Sequence, residues 1–396
     1  MTKLKLHWQI LIAIVLATVA GTLTGTDASI LGITFFSIYD FAGTLFMNAL
    51  RMIIVPLIMA SIIVGIASLG GSRDLGRLGG KTILYYAFSS TLAILIGLVF
   101  VNVLAPGIAD GQPVGEQLNL TLDSNQVASA VASVEGRGGG DIVEIFLRMI
   151  PTKQSDALLT LWKGISETMM KITMWVMTFA PYGVFGLVAE TVAATGFAAF
   201  KPLLVFFFTV LLALAAHAFI ALPLVLKYVA RVHPSRHFKA MAPAMLTAFS
   251  SASSSATLPL TMECVEKNAG VSERTTSFVL PLGATINMDG TALYECVAAI
   301  FLAQAYGLEL SFGTQFTVVL IALLTSIGVA GIPAASLVAI TVILTAIGLP
   351  VEAIGLLLVT DRVLDMCRTA VNIFSDSCGA VIIARSEKET GVLEGN

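Results

Sequence analysis

Residues 361–376, DRVLDMCRTAVNIFSD, set a row of polar side chains inside an otherwise apolar C-terminal region, between LPVEAIGLLLVT and SCGAVIIA. Read as an α-helix turning about 100° per residue, this stretch aligns Asp361, Asp365, Arg368, Thr369, Asn372 and Asp376 on one stripe about 100° wide. Cys367 falls off the stripe, among the apolar positions. One face thus offers carboxylates, a guanidinium, a hydroxyl and an amide, while the other suits lipid or packing. Ionisable groups at membrane depth are costly and usually mark a substrate or ion path. The rival is a surface amphipathic helix whose polar face is wet.

The rest of the chain disfavours that rival. Hydrophobic residues make up 57% and charged residues 12%, and the mean hydropathy is +0.91. Soluble domains are far more polar. Repeated long apolar runs point to an all-α integral membrane protein rather than a barrel. Net charge is −3 with no long basic run, so no nucleic-acid partner is expected. Cys264, Cys296, Cys367 and Cys378 lack paired or metal-type spacing and read as packing residues. The start, MTKLKLHWQILIAIVLATVAGTL, has a short basic lead but no convincing cleavage site, so it reads as an uncleaved first helix.

In chain order, residues 7–24 form a first span and residues 39–69 a second, long enough to cross with tilt. Arg51 is expected near one end of the second, snorkelling. The basic loop GGSRDLGRLGGK puts Arg73, Arg77 and Lys81 on the cytoplasmic side, and the N-terminus with them. A third span, residues 81–104, carries Tyr86, Ser89 and Ser90 on one face, although hydroxyls also bond within their own helix. Residues 106–140 read as an extracytoplasmic loop. DIVEIFLRMIP is too short to cross at about 1.5 Å per residue. Spans at 155–180 and 201–229 follow, the second ending in the basic KYVARVHPSRHFK. Two crossings leave that segment outside, against positive-inside bias; three would place it inside.

From residue 241 the chain changes character. SSASSSATLP and TSIGVAGIPAAS each interrupt an apolar segment, and each interrupted segment precedes a full span, at 275–306 and 351–384. Paired broken segments are the best sequence pointer to a transporter site, since irregular backbone survives at membrane depth only under protein or beside a polar cavity. The plainer alternative is two kinked spans. Between the breaks, Asn287, Asp289, Gly290 and Thr291 interrupt another apolar run with turn-forming residues. An unwound turn there frees carbonyls suited to a small dehydrated cation. Glu295 follows one turn later; a carboxyl in an apolar helix can carry a proton or be neutralised by a neighbour.

TLPLTMECVEKNAG, PLGATINMDGTALYE, SIGVAGIP and DRVLDMCRTAVNIFSD together resemble the glutamate/aspartate (dicarboxylate/amino acid:cation) symporter family, which includes excitatory amino acid transporters and archaeal aspartate transporters. The resemblance runs from the first span to the end and is close beyond residue 241. It implies an inverted-repeat transporter with broken helices and two re-entrant helical hairpins, at 241–275 and 310–349, around a broken helix at 276–306 and a substrate helix at 351–385. It further implies a homotrimer of elevator type. Residues 1–80 and a shortened 141–200 region would form the scaffold. Residues 81–104, 201–240 and the 241–396 core would move, with 105–140 as the outer loop.

By matching position, the resemblance implies that Arg368 clamps the substrate's side-chain carboxylate and Asp365 takes its ammonium. Thr291, Thr369 and Asn372 would help to hold the substrate, Ser253, Ser254 and Ser255 would meet the α-carboxylate, and Ile332 would lie in the gate. Three sodium-type sites are implied. The first joins Asp376 to carbonyls near Gly283 and Asn287. In the second, Asp289 and Asn287 meet Tyr86, Ser89 and Ser90, and the third joins Thr285 to carbonyls around Ser326, Ile327 and Val329. Glu295 matches the glutamate of proton- and potassium-linked members.

Two departures stand out. The family's extra arginine is replaced by Ala252 and Met366 at its two usual places, with Arg362 one turn away. An apolar scaffold stretch between MIPTK and the helix beginning near residue 155 is missing. The implied function is sodium-coupled symport of L-glutamate or L-aspartate, with protons as a further candidate coupling ion. No resident cofactor is expected, and the setting is a multi-pass cell membrane with both termini cytoplasmic. C4-dicarboxylate symport and a substrate-gated anion conductance are the alternatives. An intramembrane enzyme finds no nucleophile–base pair or metal cluster.

Overall fold

Apolar segments that must satisfy their own backbone in hydrocarbon do so as helices. The computed structural model describes residues 6–30, 32–46, 48–49, 52, 77–115, 117–118, 120, 156–195, 200–308, 310–328, 335–350 and 353–393. The first helices are α1 (Leu6–Thr24), α2 (Phe35–Phe46), α3 (Arg77–Leu104), α4 (Asp156–Met177) and α5 (Ala180–Thr195). Helix α6 (Phe200–Ala216) continues through π-helical turns at His217–Ala221 and Leu226–Ala230. Next come α7 (Pro234–Ser251), α8 (Ser254–Glu263), α9 (Glu273–Ile286) and α10 (Asp289–Ala305). The last are α11 (Phe312–Gly328), α12 (Ala335–Ala346) and α13 (Ile354–Ser386). Two short antiparallel ladders, with Ser29 opposite Thr34 and Ile108 opposite Pro113, close loops after α1 and α3.

Helix α10 is apolar nearly all round, and such a helix belongs in an interior. Phe301, Tyr294 and Leu293 on it are fully buried, and α3, α6, α11, α12 and α13 surround it. A second apolar cluster joins α7, α8 and α9 to α13, and a third joins α1, α2, α4 and α5. Among the described residues, 77–104, 201–230 and 273–305 are each long and apolar enough to cross a membrane.

Helix α5 is absent from the spans read in the sequence, because Pro181, Gly183, Gly186 and Glu190 break up its apolar run. The structure shows why small residues sit there. A Cβ on Gly183 would stand 2.1 Å from Cγ of Phe46, whose ring fills the notch, and a Cβ on Gly186 would stand 2.7 Å from both the Gly43 backbone N and the Tyr39 carbonyl, so there the backbones of α5 and α2 nearly touch. Small residues of this kind let helix backbones approach where lipid supplies no hydrophobic drive. Among the described residues, α4, α5 and α6 lie between residues 156 and 230, and of these α6 is long and apolar enough to cross a membrane. Residues 53–76, the half-length segment at 142–150 and the second hairpin's tip at 329–334 lie outside the described residues.

The first hairpin is a pair of helices, α7 and α8, turning at Ala252, whose φ of +50° ends α7 in the left-handed region. Its first arm starts at Pro234, earlier than the expected 241, where proline suits the first turn of a helix. Ser253 then caps α8, its hydroxyl accepting from Ala256 N–H at 3.2 Å. Helices α11 and α12 form a second packed pair. One end of the molecule collects basic groups. There the Lys81 ammonium and the Arg77 guanidinium both meet Glu387, and Arg236 reaches the Leu393 carbonyl. Helix α13 runs 33 residues without a break, about 50 Å at 1.5 Å per residue.

Candidate substrate and cation site

The site forms where the break between α9 and α10 meets α13, α3 and α6. Asn287 (φ −100°, ψ 80°) ends α9 and Met288 (φ −109°, ψ 60°) precedes α10, so the chain is unwound at these two residues, and Asp289, Gly290 and Thr291 open α10. A helix end leaves backbone groups without intrahelical partners. Asn372 of α13 supplies one, its carbonyl oxygen accepting from Gly290 N–H at 2.7 Å while its amide donates to the Thr291 hydroxyl at 3.2 Å. The predicted site residues Asn372 and Thr291 thus stitch α13 to the broken turn.

All six residues of the stripe are buried. Arg368, with no solvent exposure, donates from Nη1 to the Ser336 hydroxyl at 2.9 Å. Its Nη2 donates to Asp361 at 2.9 Å and to Asp365 at 3.0 Å. Its guanidinium also lies over the Tyr294 ring, 3.9 Å from the centroid, and Arg362 approaches Asp365 at 3.6 Å. Burying such charges costs several kcal/mol each unless they are paired, and here each guanidinium has a carboxylate. The Thr369 hydroxyl donates to the Asp365 carbonyl at 2.8 Å.

Beside this cluster lies a second one, rich in oxygen. Oδ1 of Asp289 accepts from the Ser90 hydroxyl at 2.7 Å and from Ser89 at 3.3 Å, and Asn287 Oδ1 accepts from Ser89 at 3.1 Å. The Asn287 amide donates to Asp376 at 2.9 Å. A Cβ on Gly283 would stand 2.6 Å from Asp376 Oδ1 and 2.7 Å from the Tyr86 hydroxyl. Glycine there lets three elements close on one point. Tyr86 itself donates to the Val279 carbonyl at 2.6 Å. The geometry therefore gathers Tyr86, Ser89, Ser90, Gly283, Asn287, Asp289 and Asp376.

Other predicted residues stand apart from it. Thr285 is exposed, with its hydroxyl donating to the Leu282 carbonyl of its own helix at 3.0 Å. Ser254 is buried and Ser255 exposed at the first hairpin's turn. Ser326 and Ile327 end α11, while Val329 and Ile332 lie outside the described residues. Glu295 is buried in α10. Four polar contacts have no counterpart among the predicted sites: Ser336 and Asp361 on Arg368, and His217 and Ser375 on Asp289. Asp361 is on the legible stripe. A lone histidine in LLALAAHAFIALP was the other available signal, since polar groups in such runs are costly.

The model of the sodium:dicarboxylate symporter family matches residues 6–155 and 142–386, nearly the whole chain. The chain belongs to that family. Within the family, it is 34% identical to the proton/glutamate-aspartate symporter of Escherichia coli (strain K12), over 97% of this chain and 93% of that protein. It is 31% identical to the proton/sodium-glutamate symport protein of Geobacillus stearothermophilus, covering 100% and 97% respectively. Against excitatory amino acid transporter 3 of Homo sapiens it is 32% identical, covering 98% and 87%. These alignments extend over 418, 424 and 458 residues, more than the 396 of this chain. These family members therefore carry internal residues that this chain lacks. The two stretches of the family match meet at residues 142–155, where the sequence reading finds a scaffold stretch missing.

Proposed function

We propose that the protein is a secondary active symporter of L-glutamate or L-aspartate, coupled to sodium, with Glu295 as the candidate proton carrier. One observation carries this reading: a fully buried guanidinium, held by two carboxylates, stands next to an oxygen cluster centred on Asp289. A substrate carboxylate entering from solvent matches the planar fork of Arg368 and takes the place of Asp361. The substrate ammonium then goes to Asp365. Asn372, Thr369 and Thr291 line the same face, and the serines of the first hairpin approach the α-carboxylate. Sodium fits the Asp289 cluster and the Asp376–Gly283 contact, both built of hard oxygen donors. The names of the bacterial relatives, which include sodium, protons, glutamate and aspartate, support these assignments.

In this reading the α7–α8 and α11–α12 pairs are re-entrant, and the second closes over bound substrate. The core slides past α1, α2, α4 and α5 as an elevator within a homotrimer in the cell membrane. The basic end carrying Arg77, Lys81 and Arg236 faces the cytoplasm with both termini, as positive-inside bias requires. Arg362 favours a second substrate class. A guanidinium 3.6 Å from Asp365 can neutralise that carboxylate without an ammonium, so C4-dicarboxylates are the alternative cargo.

The deciding experiment is uptake of labelled L-aspartate into proteoliposomes, with sodium and pH gradients imposed separately and unlabelled succinate as competitor. Uptake driven by sodium alone supports the cation sites and makes Glu295 a bystander. A requirement for the proton gradient makes Glu295 the carrier. Competition by succinate as strong as by glutamate shifts the cargo to dicarboxylates. Absence of uptake under both gradients refutes symport of either substrate.

A further inference from the structure

Asp289 presents two different oxygens. Oδ1 faces Ser89 and Ser90. Oδ2 faces the opposite way and accepts from the Ser375 hydroxyl at 2.6 Å, with His217 Nε2 at 3.0 Å. A carboxylate oxygen accepts, so the imidazole proton is on Nε2. Ser375 also accepts from the Asn287 amide at 3.1 Å. With Nδ2 of Asn287 committed to Ser375 and Asp376, its carbonyl oxygen is left pointing at the serines of α3. The Ser375 backbone is itself pinned, its carbonyl accepting from the Tyr85 hydroxyl at 3.0 Å. His217 opens the first π-helical turn of α6, a distortion frequent at functional sites, and it has no solvent exposure.

We infer that Ser375 and His217 are the positioning residues of the Asp289 cation site, fixing the carboxylate and the Asn287 amide so that one oxygen of each faces the ion. The inference rests on the sodium reading given above. A carboxylate free to rotate about its terminal bond has to be ordered when the ion arrives, and two donors on the far oxygen remove that cost beforehand. Groups that orient ligands in this way typically change metal affinity about 10- to 100-fold when removed. Ser375 has the larger share, because it orients two ligands and links the Asp289 cluster to Asp376.

The test uses purified full-length protein and two titrations: sodium against melting temperature without substrate, and aspartate affinity at rising sodium. In Ser375→Ala and His217→Ala the half-saturating sodium concentration rises about tenfold or more. Aspartate affinity recovers when sodium is raised to saturation. Ser375→Thr and His217→Gln, which keep a donor, restore sodium affinity, and the double alanine variant loses less than the product of the single effects. A lower melting temperature with unchanged half-saturating sodium assigns both residues to packing and overturns the inference, and so does an aspartate defect that sodium cannot repair. Indifference of the wild-type protein to sodium removes the sodium reading itself, and is told apart because it needs no variant. Ser375→Ala deletes one oxygen and stands as the informative variant where His217→Ala does not fold.

Discussion

Arg368 and its two carboxylates show how a buried charge can be both stable and available. The guanidinium satisfies both Asp361 and Asp365, and removing it leaves two buried carboxylates with Arg362 beside Asp365. Truncating one partner of a buried charge pair across a binding interface costs about 2–5 kcal/mol, so if Arg368 holds the substrate carboxylate as proposed, Arg368→Ala is expected to weaken aspartate binding at least about 30-fold. Isothermal titration checks this, and sodium-dependent stabilisation should survive in the same variant. Arg368→Lys keeps the charge but loses the planar fork, and it should recover little of the affinity. At Gly283 a single methyl group would meet Asp376 Oδ1 at 2.6 Å. Gly283→Ala should therefore raise the half-saturating sodium concentration, read from the sodium dependence of uptake. The stripe residues were legible because a helical period puts them on one face whatever lies opposite. Ser336 and Ser375 were not, since a serine acquires its meaning only from what the fold brings within about 3 Å.

At the scale of elements, the broken turn at Asn287–Met288 was readable from turn-forming residues placed between apolar runs. Helix α5 was not, because its glycines weaken the very pattern that marks a span, and they do so to admit α2. Gly183→Leu should drive those helices apart and lower the melting temperature by several degrees, measured by differential scanning fluorimetry; overpacking a filled contact typically costs about 1–3 kcal/mol. The junction of α3 and α13 gives a pH signature. Hydrogen bonds from Arg77 and then Lys81 hold the Glu387 carboxyl down at about 2, against an ordinary 4.5. A depressed carboxylate stabilises the fold above its ordinary value and loses that contribution as pH falls toward 2. Melting curves of wild type and Glu387→Gln should differ at pH 6 and converge between pH 4.5 and 2. Because Arg77 is largely exposed, the difference should be small and shrink further in 1 M salt.

For the whole molecule, Asn372 shares the face of α13 with Arg368 and bonds Gly290 and Thr291 beside Asp289, so in the proposed reading the sodium and aspartate affinities are interdependent. Each ligand must raise the other's affinity by the same factor. Melting temperature should therefore rise more with both present than the two separate shifts predict, and a merely additive response would detach the clusters from one another. The general architecture was legible from hydropathy and from the motifs beyond residue 241. The neighbours of the N-terminal helices were not, because close backbone packing leaves only scattered small residues in the sequence. Helix α13 adds a practical consequence. It is one uninterrupted rod, so Arg368 and Ser386 lie about 27 Å apart on a single stiff axis. A shift of that rod near Arg368 is expected to carry to its far end, where residues 387–393 pack on α3, α7 and α9 while Thr390 stays exposed. Three of the four native thiols are buried, which leaves an introduced Thr390→Cys as a selective anchor for a dye. That far tip can then serve as an external gauge of an interior that no solvent-borne probe reaches.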